Sequence, residues 1–238
     1  MRLDLLLSEK LGISRTRAQN LIKTGGVSLD GVVADKSSLE VDPSADPEII
    51  DTLKYASLGG LKLENALKTF RIDPKDKICL DVGASNGGFT DCLLTFGAKE
   101  VHAVDLNVAF NESLQNDPRV RIYDHVNAKD LMKVFSKECF DLITVDLSFI
   151  SLGVVLEELY ALLKHGGALI ALFKPQFEVG KGALPKSGVV RDDRAIEKSL
   201  SRILSKASAL GFCFEGECLV PKIFPDKNKE RTLFLSKA

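Results

Sequence analysis

The chain has 238 residues, 45% of them hydrophobic, and a formal net charge of −1, which fits an ordinary globular protein of one large domain, or one large and one small, and leaves any nucleic-acid binding to local charge. Its five cysteines, an odd number with no C-x-x-C pair and no histidine at metal-ligand spacing, argue against a disulfide frame or a zinc site and suit a reducing compartment. No stretch approaches the roughly 18 apolar residues of a membrane span, and the short apolar start carries Asp4 and leads to no cleavage site, so a cytoplasmic protein is expected.

Residues 1–42 read as a small α/β module. Leu3, Leu6, Leu7 and Leu11 fall at helical spacing, and Ser14 is placed to cap a second helix. There Ala18, Leu21 and Ile22 form the inner stripe. Arg15, Gln19 and Lys23 lie four apart on another face, with Arg17 on the same helix, and residues 1–25 hold five bases against two acids. Both a solvated face and an RNA-contacting face fit that spacing. Gly25-Gly26 ends the helix, and Val27 and Leu29 lead through Asp30-Gly31, a hairpin signal, into Val32-Val33. The polar, proline-containing stretch around Asp42–Pro47 predicts a linker over 43–56.

From residue 57 to the end, apolar runs alternate with helix-like stretches. The runs are 78–82, 101–104, 120–123, 142–145 and 168–173, the pattern of a parallel sheet with crossover helices. A long helix pattern around Asp192–Leu210 precedes two more runs, 212–220 and 232–235, which would close the sheet as an antiparallel pair.

The first of these runs carries the most information. Asp81-Val-Gly-Ala-Ser-Asn-Gly-Gly-Phe-Thr is a strand that stops at a glycine-rich turn and opens a helix, a junction that presents free backbone N–H groups and the positive end of a helix dipole. Ser85 stands where a dinucleotide fingerprint needs glycine, and Phe89 where a phosphate loop needs lysine. A nucleoside ligand without phosphates remains, and S-adenosylmethionine is the common one. Gly83, Ser85, Gly87 and Gly88 are the candidate cradle.

Ligands of an open α/β sheet lie outside the carboxyl ends of its strands. Asp81 ends the first run and is a candidate anchor for the amino-acid part of the cofactor, directly or through the loop. Asp105 ends the second, about 20 residues on, where an acid can accept ribose hydroxyls; a helix-cap role fits it equally. Asn127 follows the third run and Asp146 the fourth. The residues after Asp146 do not form Asn-Pro-Pro-Tyr or Asp-Pro-Pro-Tyr, and no Pro-Cys occurs in the chain, so amino-group and carbon-5 base methylation both lose ground.

Four segments together, Asp81–Asp91, Ser57-Leu-Gly-Gly-Leu-Lys-Leu63, Val145-Asp-Leu-Ser-Phe-Ile-Ser151 and Lys174-Pro-Gln-Phe-Glu-Val-Gly180, resemble the TlyA group of FtsJ-like 2′-O-methyltransferases nearly end to end. The amino-terminal module resembles the S-four-type RNA-binding module. The resemblance implies a Rossmann-like S-adenosylmethionine-dependent methyltransferase domain, mostly parallel and seven-stranded, over 57–238, preceded by a small α/β RNA-binding domain whose Arg15, Arg17, Gln19 and Lys23 meet RNA. It implies that Asn127 lies near the adenine. It also supplies a catalytic tetrad, Lys62, Asp146, Lys174 and Glu230, in which Lys174 takes the proton of a ribose hydroxyl.

General chemistry agrees with such a base. A ribose hydroxyl is a poor nucleophile, and a lysine can activate it when its amine is desolvated or lies near a second cation, while a carboxylate holds it in place. Lys174 directly follows an apolar run. Lys62 falls on either border of its helix, and Glu230 lies in a charged segment, Asp226–Arg231, that a plain turn would explain as well. Leu58 departs from the arginine usual in the group, which puts one RNA phosphate contact in question. The 178–191 loop, with Lys181 and Lys186, fits both a lid over RNA and a disordered segment.

The expected function is methylation of ribosomal RNA, at a cytidine of the large subunit as the resemblance implies, with S-adenosylmethionine as cofactor and no metal. The expected partner is a ribosomal subunit, with no membrane and no protein partner. Two other readings stand beside it: a haemolysin or membrane-active protein, and a non-catalytic RNA-binding ribosome assembly factor.

Overall fold

The computed structural model describes residues 1–49, 54–180, 182, 184–220 and 228–238; Lys181, Asp226 and Lys227 lie outside them. The amino-terminal module begins with α1 (Leu3–Leu11) and α2 (Arg15–Lys23), whose cap is Ser14: its side chain accepts from the Arg17 N–H at 3.2 Å. Such a cap contributes about 1 kcal/mol. Leu3, Leu7, Ala18, Leu21 and Ile22 pack onto β1 (Val27–Leu29) as a small core. Asp30 (φ 50°) and Gly31 (φ 77°) turn the chain into β2 (Val32–Val33), both with the positive φ that a tight two-residue hairpin needs.

The stretch read as a linker does more than connect. Asp42 Oδ1 accepts from the Ser44 N–H at 2.8 Å, and the turn it makes returns the chain as β3 (Glu48–Ile49), which pairs with the free edge of β1. The module is therefore a three-stranded sheet, β2-β1-β3, under two helices. Proline and polar residues there redirect the chain rather than release it.

The larger domain follows in chain order as α3 (Gly59–Phe70), β4 (Ile78–Val82), α4 (Gly88–Thr95), β5 (Glu100–Val104), α5 (Glu112–Gln115), β6 (Val120–Tyr123), β7 (Phe140–Val145), α6 (Leu156–Leu162), β8 (Leu163–Phe173), α7 (Pro175–Glu178), α8 (Asp193–Leu210), β9 (Phe212–Leu219) and β10 (Arg231–Lys237). The sheet order is β6-β5-β4-β7-β8-β10-β9, with β10 antiparallel to both neighbours and the remaining pairings parallel. Strand alternation builds two cores. Leu80, Val82, Ile143, Val145, Leu169, Ala171 and Phe173 face α6 and α8, whereas Cys79, Leu142, Ile170 and Leu172 face α3 and α4. Burying each leucine or isoleucine stabilises the fold by roughly 1.5–3 kcal/mol before entropy is counted.

The chain leaves β4 for β5 and β6 on one side and comes back to β7 on the other. The switch point thus lies between β4 and β7, where an open α/β sheet splays its strand ends and leaves a crevice.

Candidate active site

At that crevice the β4–α4 loop folds back on the sheet, and the Gly83 and Ala84 N–H groups both donate to Val104 O, at 2.9 and 3.1 Å. Gly83 has φ +88°, and a Cβ there would sit 2.5 Å from the Asp146 carbonyl oxygen, so only glycine lets the loop lie against the end of β7. Ser85 follows in the left-handed region at φ 48°. Its N–H donates to Asp105 Oδ2 at 2.9 Å, while the Asn107 N–H reaches Oδ1 at 3.1 Å. Two backbone donors aim the Asp105 carboxylate and leave it further acceptor capacity.

A cleft of about 640 Å³ opens here, lined by Gly83, Ser85, Asp105, Asn127, Asp146 and Ser148 among others. Asn127 spends its carbonyl on the Lys129 N–H at 3.1 Å, which leaves its NH₂ as a donor. A cleft of this size, lined by a carboxylate that can take a ribose diol and by a loop whose Gly83 carries no side chain, fits S-adenosylmethionine. When bound, that group supplies an electrophilic methyl.

Three candidate cofactor residues serve the protein instead of the cleft. Asp81 is fully buried and is not part of the lining. It accepts from Thr90 Oγ1 at 2.7 Å and Thr144 Oγ1 at 3.1 Å, pinning β4 to α4 and β7. Burial pushes its carboxyl up to about 7, against the lowering effect of the two threonines and with Asp146 adding to the rise. Gly87 (φ +83°) makes room for Leu114, 2.5 Å from a would-be Cβ. Gly88 makes room for Ser57 Oγ at 2.2 Å and the Gly60 N–H at 2.9 Å, where α3 begins.

The four tetrad candidates meet as two ion pairs. Lys174, 8% exposed at the end of β8, is ion-paired to Asp146 and donates to Ser148 Oγ at 3.2 Å. Lys62 on α3 donates to Glu230 Oε2 at 2.6 Å. The register joins the pairs: Arg231 lies opposite Phe173, so antiparallel pairing sets Glu230 across from Lys174. Beside them Phe149 is 92% exposed with φ 66°, and its ring lies 5.2 Å from that of Phe177, which in turn lies 6.0 Å from Lys174 Nζ.

Ser148, Phe149 and Glu178 lie in two of the segments that carry the family resemblance, but the residues alone single out none of them as a site residue, since which side chains of those segments face the cleft or each other is set only by the fold. Leu58, where an arginine was expected, is buried just before α3. In the 178–191 loop, Asn228 holds the described part: its side chain accepts from the Val190 N–H at 2.8 Å and donates to Gly188 O at 2.9 Å. Lys186 is exposed.

The module's candidate RNA residues have intramolecular duties. Asp4 is fully buried and accepts from Arg2 Nε at 3.0 Å, Arg15 Nε at 3.0 Å and Gln19 Nε2 at 2.7 Å. The Arg2 hydrogen bond above all, helped by Gln19 and Arg15 and opposed by burial, holds its carboxyl well below the usual range. Arg17 Nη1 reaches Ala56 O at 3.5 Å, and the Ala56 N–H donates to Asp91 Oδ2 at 2.7 Å, so Arg17 leans on the start of the larger domain. Lys23 is exposed in the last turn of α2. An acid inside a leucine-rich helix was the available clue to the Asp4 network.

A mostly parallel seven-stranded sheet closed by an antiparallel pair, with a nucleoside-sized cleft at its switch point, defines the Rossmann-like methyltransferase class. The chain belongs to the FtsJ-like methyltransferase family, whose model matches residues 55–237, and an S4 domain matches residues 1–46. Hemolysin A of Brachyspira hyodysenteriae is 41% identical over 217 residues, covering 89% of this chain and 90% of its own. The 16S/23S rRNA (cytidine-2′-O)-methyltransferase TlyA of Mycobacterium tuberculosis is 38% identical over 233 residues, 97% of this chain and 87% of its own. Among solved structures, a candidate hemolysin from Streptococcus thermophilus superposes with a TM-score of 0.77 at 34% identity, covering all of this chain and 88% of that one.

Proposed function

We propose that this chain methylates a ribose 2′-hydroxyl of ribosomal RNA, at a cytidine of the large subunit, with S-adenosylmethionine as donor. The observation that supports it most is Lys174: a buried amine at the ligand edge of the sheet, held by Asp146 and Ser148, both of which line the cleft. Asp146 and Ser148 aim Nζ at the position where it would take the hydroxyl proton as the oxygen attacks. The Lys62–Glu230 pair ties α3 to the start of β10 beside it. Holding the reacting oxygen in line with the methyl carbon is the greater part of the work, because the reaction needs no covalent enzyme intermediate. The exposed Phe149 ring is suited to stack a base turned out of the RNA. In this reading Asp105 holds the cofactor ribose, Asn127 faces the adenine, and Arg15, Arg17, Gln19 and Lys23 contribute to the RNA face of the module.

The test is incubation with labelled S-adenosylmethionine and purified ribosomal subunits from cells lacking the gene, followed by nucleoside analysis. Label in 2′-O-methylcytidine of the large subunit supports the proposal. Cofactor binding without transfer to either subunit would favour a ribosome assembly factor instead. Membrane activity is suggested by the names of some relatives, yet among the described residues no helix is long and apolar enough to cross a membrane.

A further inference from the structure

Glu178 is 3% exposed, and its carboxylate has a single occupation. Oε2 accepts from Ser151 Oγ at 2.6 Å and Oε1 from the Leu152 N–H at 2.7 Å. A buried carboxylate is costly unless it is hydrogen-bonded, and here each oxygen takes a donor from the same loop. That loop starts at Asp146 and carries Ser148 and Phe149. Glu178 itself closes α7, the turn that begins directly after Lys174 and carries Phe177. Arg202 of α8 donates to the Glu178 carbonyl oxygen, which fixes the post against the long helix.

The two segments therefore meet at both ends. At the near end Lys174 meets Asp146 and Ser148; at the far end Glu178 meets Ser151 and Leu152; between them lie the rings of Phe149 and Phe177. The near contacts join Lys174 to two side chains that line the cleft, whereas the far ones tie both oxygens of one carboxylate to a side chain and a backbone N–H of the loop, away from the cleft lining. We propose that Glu178 is a positioning residue for methyl transfer: its carboxylate fixes the 146–152 loop so that Asp146, Ser148 and Phe149 stand in register with Lys174.

The inference rests on the proposed reaction at Lys174, so one readout is independent of activity. With 4-fluorophenylalanine in place of Phe149, the fluorine resonance reports the loop, and single-turnover methylation of ribosomal subunits reports the chemistry. Glu178→Ala is expected to shift or broaden the resonance and to slow transfer about a hundredfold, with KM for RNA and cofactor affinity within about threefold. Glu178→Gln is expected to restore both, because its carbonyl still accepts from Leu152 and its amide can donate to Ser151 Oγ. Should Glu178→Ala fail to fold, Ser151→Ala carries the test, with an expected loss of about tenfold in rate and a moved resonance. An unchanged rate per folded molecule, or a resonance that does not move, in the folded variant would overturn the proposal. Wild-type protein that transfers no methyl would sink the reading of the reaction while the resonance still decides the positioning.

Discussion

Lys62 and Glu230 are 168 positions apart in the chain and meet at 2.6 Å. The contact joins the first helix of the larger domain to the residue before its last strand, and the β8–β10 register sets Glu230 across from Lys174. Both side chains are about four-fifths buried, so solvent screens the pair less than a surface ion pair.

Coupling should follow from that contact. Lys62→Met and Glu230→Gln are each expected to slow single-turnover methylation, and the double variant is expected to be little slower than either. A double-mutant cycle should return an interaction of about 0.5–3 kcal/mol. Additive losses would show that the two residues act separately.

Gly83 is the most restrictive position of the loop. Its φ of +88° disfavours any side chain, and a Cβ would meet the Asp146 carbonyl oxygen at 2.5 Å. Gly83→Ala is expected to cost about 1–3 kcal/mol in urea unfolding and to weaken S-adenosylmethionine binding measured by calorimetry. Wild-type stability and affinity would contradict the close approach described here.

Asp81 makes stability depend on pH. Burial pushes its folded-state carboxyl up to about 7, whereas an unfolded aspartate ionises near about 3.9. The unfolded chain thus loses this proton first, and the contribution of Asp81 to stability falls as pH rises from about 4 to about 7, then levels off. Asp81→Asn is expected to remove that slope, so unfolding free energies of wild type and variant should diverge across this window in favour of the variant as pH rises. Parallel curves would place the carboxyl in the ordinary range.

Asp4 gathers three donors in the core of the amino-terminal module. Asp4→Ala leaves Arg2, Arg15 and Gln19 without it, a loss of about 1–3 kcal/mol, since the two arginines left behind are one-third to one-half exposed and are hydrated in its place. Hydrogen exchange should quicken in the amides of α1 and α2 and stay unchanged in the larger domain. Arg15→Ala should do the same more weakly, so RNA affinities of that variant must be compared at matched fractions of folded module.

Much of this architecture is legible in the residues. The run 78–82 is a strand with those bounds, and Ser14 caps the helix it precedes, because capping and alternation are local. Position after a strand also marked Asp105, Asp146 and Lys174, since the sheet carries each strand end to one edge. Burial direction was not legible. Asp81 lies inside β4, one residue before its end and level with Ala103 of β5, and turns into the protein because Thr90 and Thr144 offer hydroxyls there, both from elements assembled only in the fold; Asp105 follows the end of β5 and reaches the cleft. The same limit hid β3, whose two residues are defined by pairing with β1, and the tie of Arg15 and Gln19 to Asp4.

Lys174 as the base is tested by the single-turnover rate of methyl transfer to large ribosomal subunits by wild type and Lys174→Ala, with S-adenosylmethionine affinity measured on both. Label is expected at one alkali-resistant ribose, with a loss of about 10²–10⁴-fold in the variant and affinities for the cofactor within about twofold. A variant that keeps the wild-type rate while binding cofactor equally would contradict the assignment of Lys174 as the base.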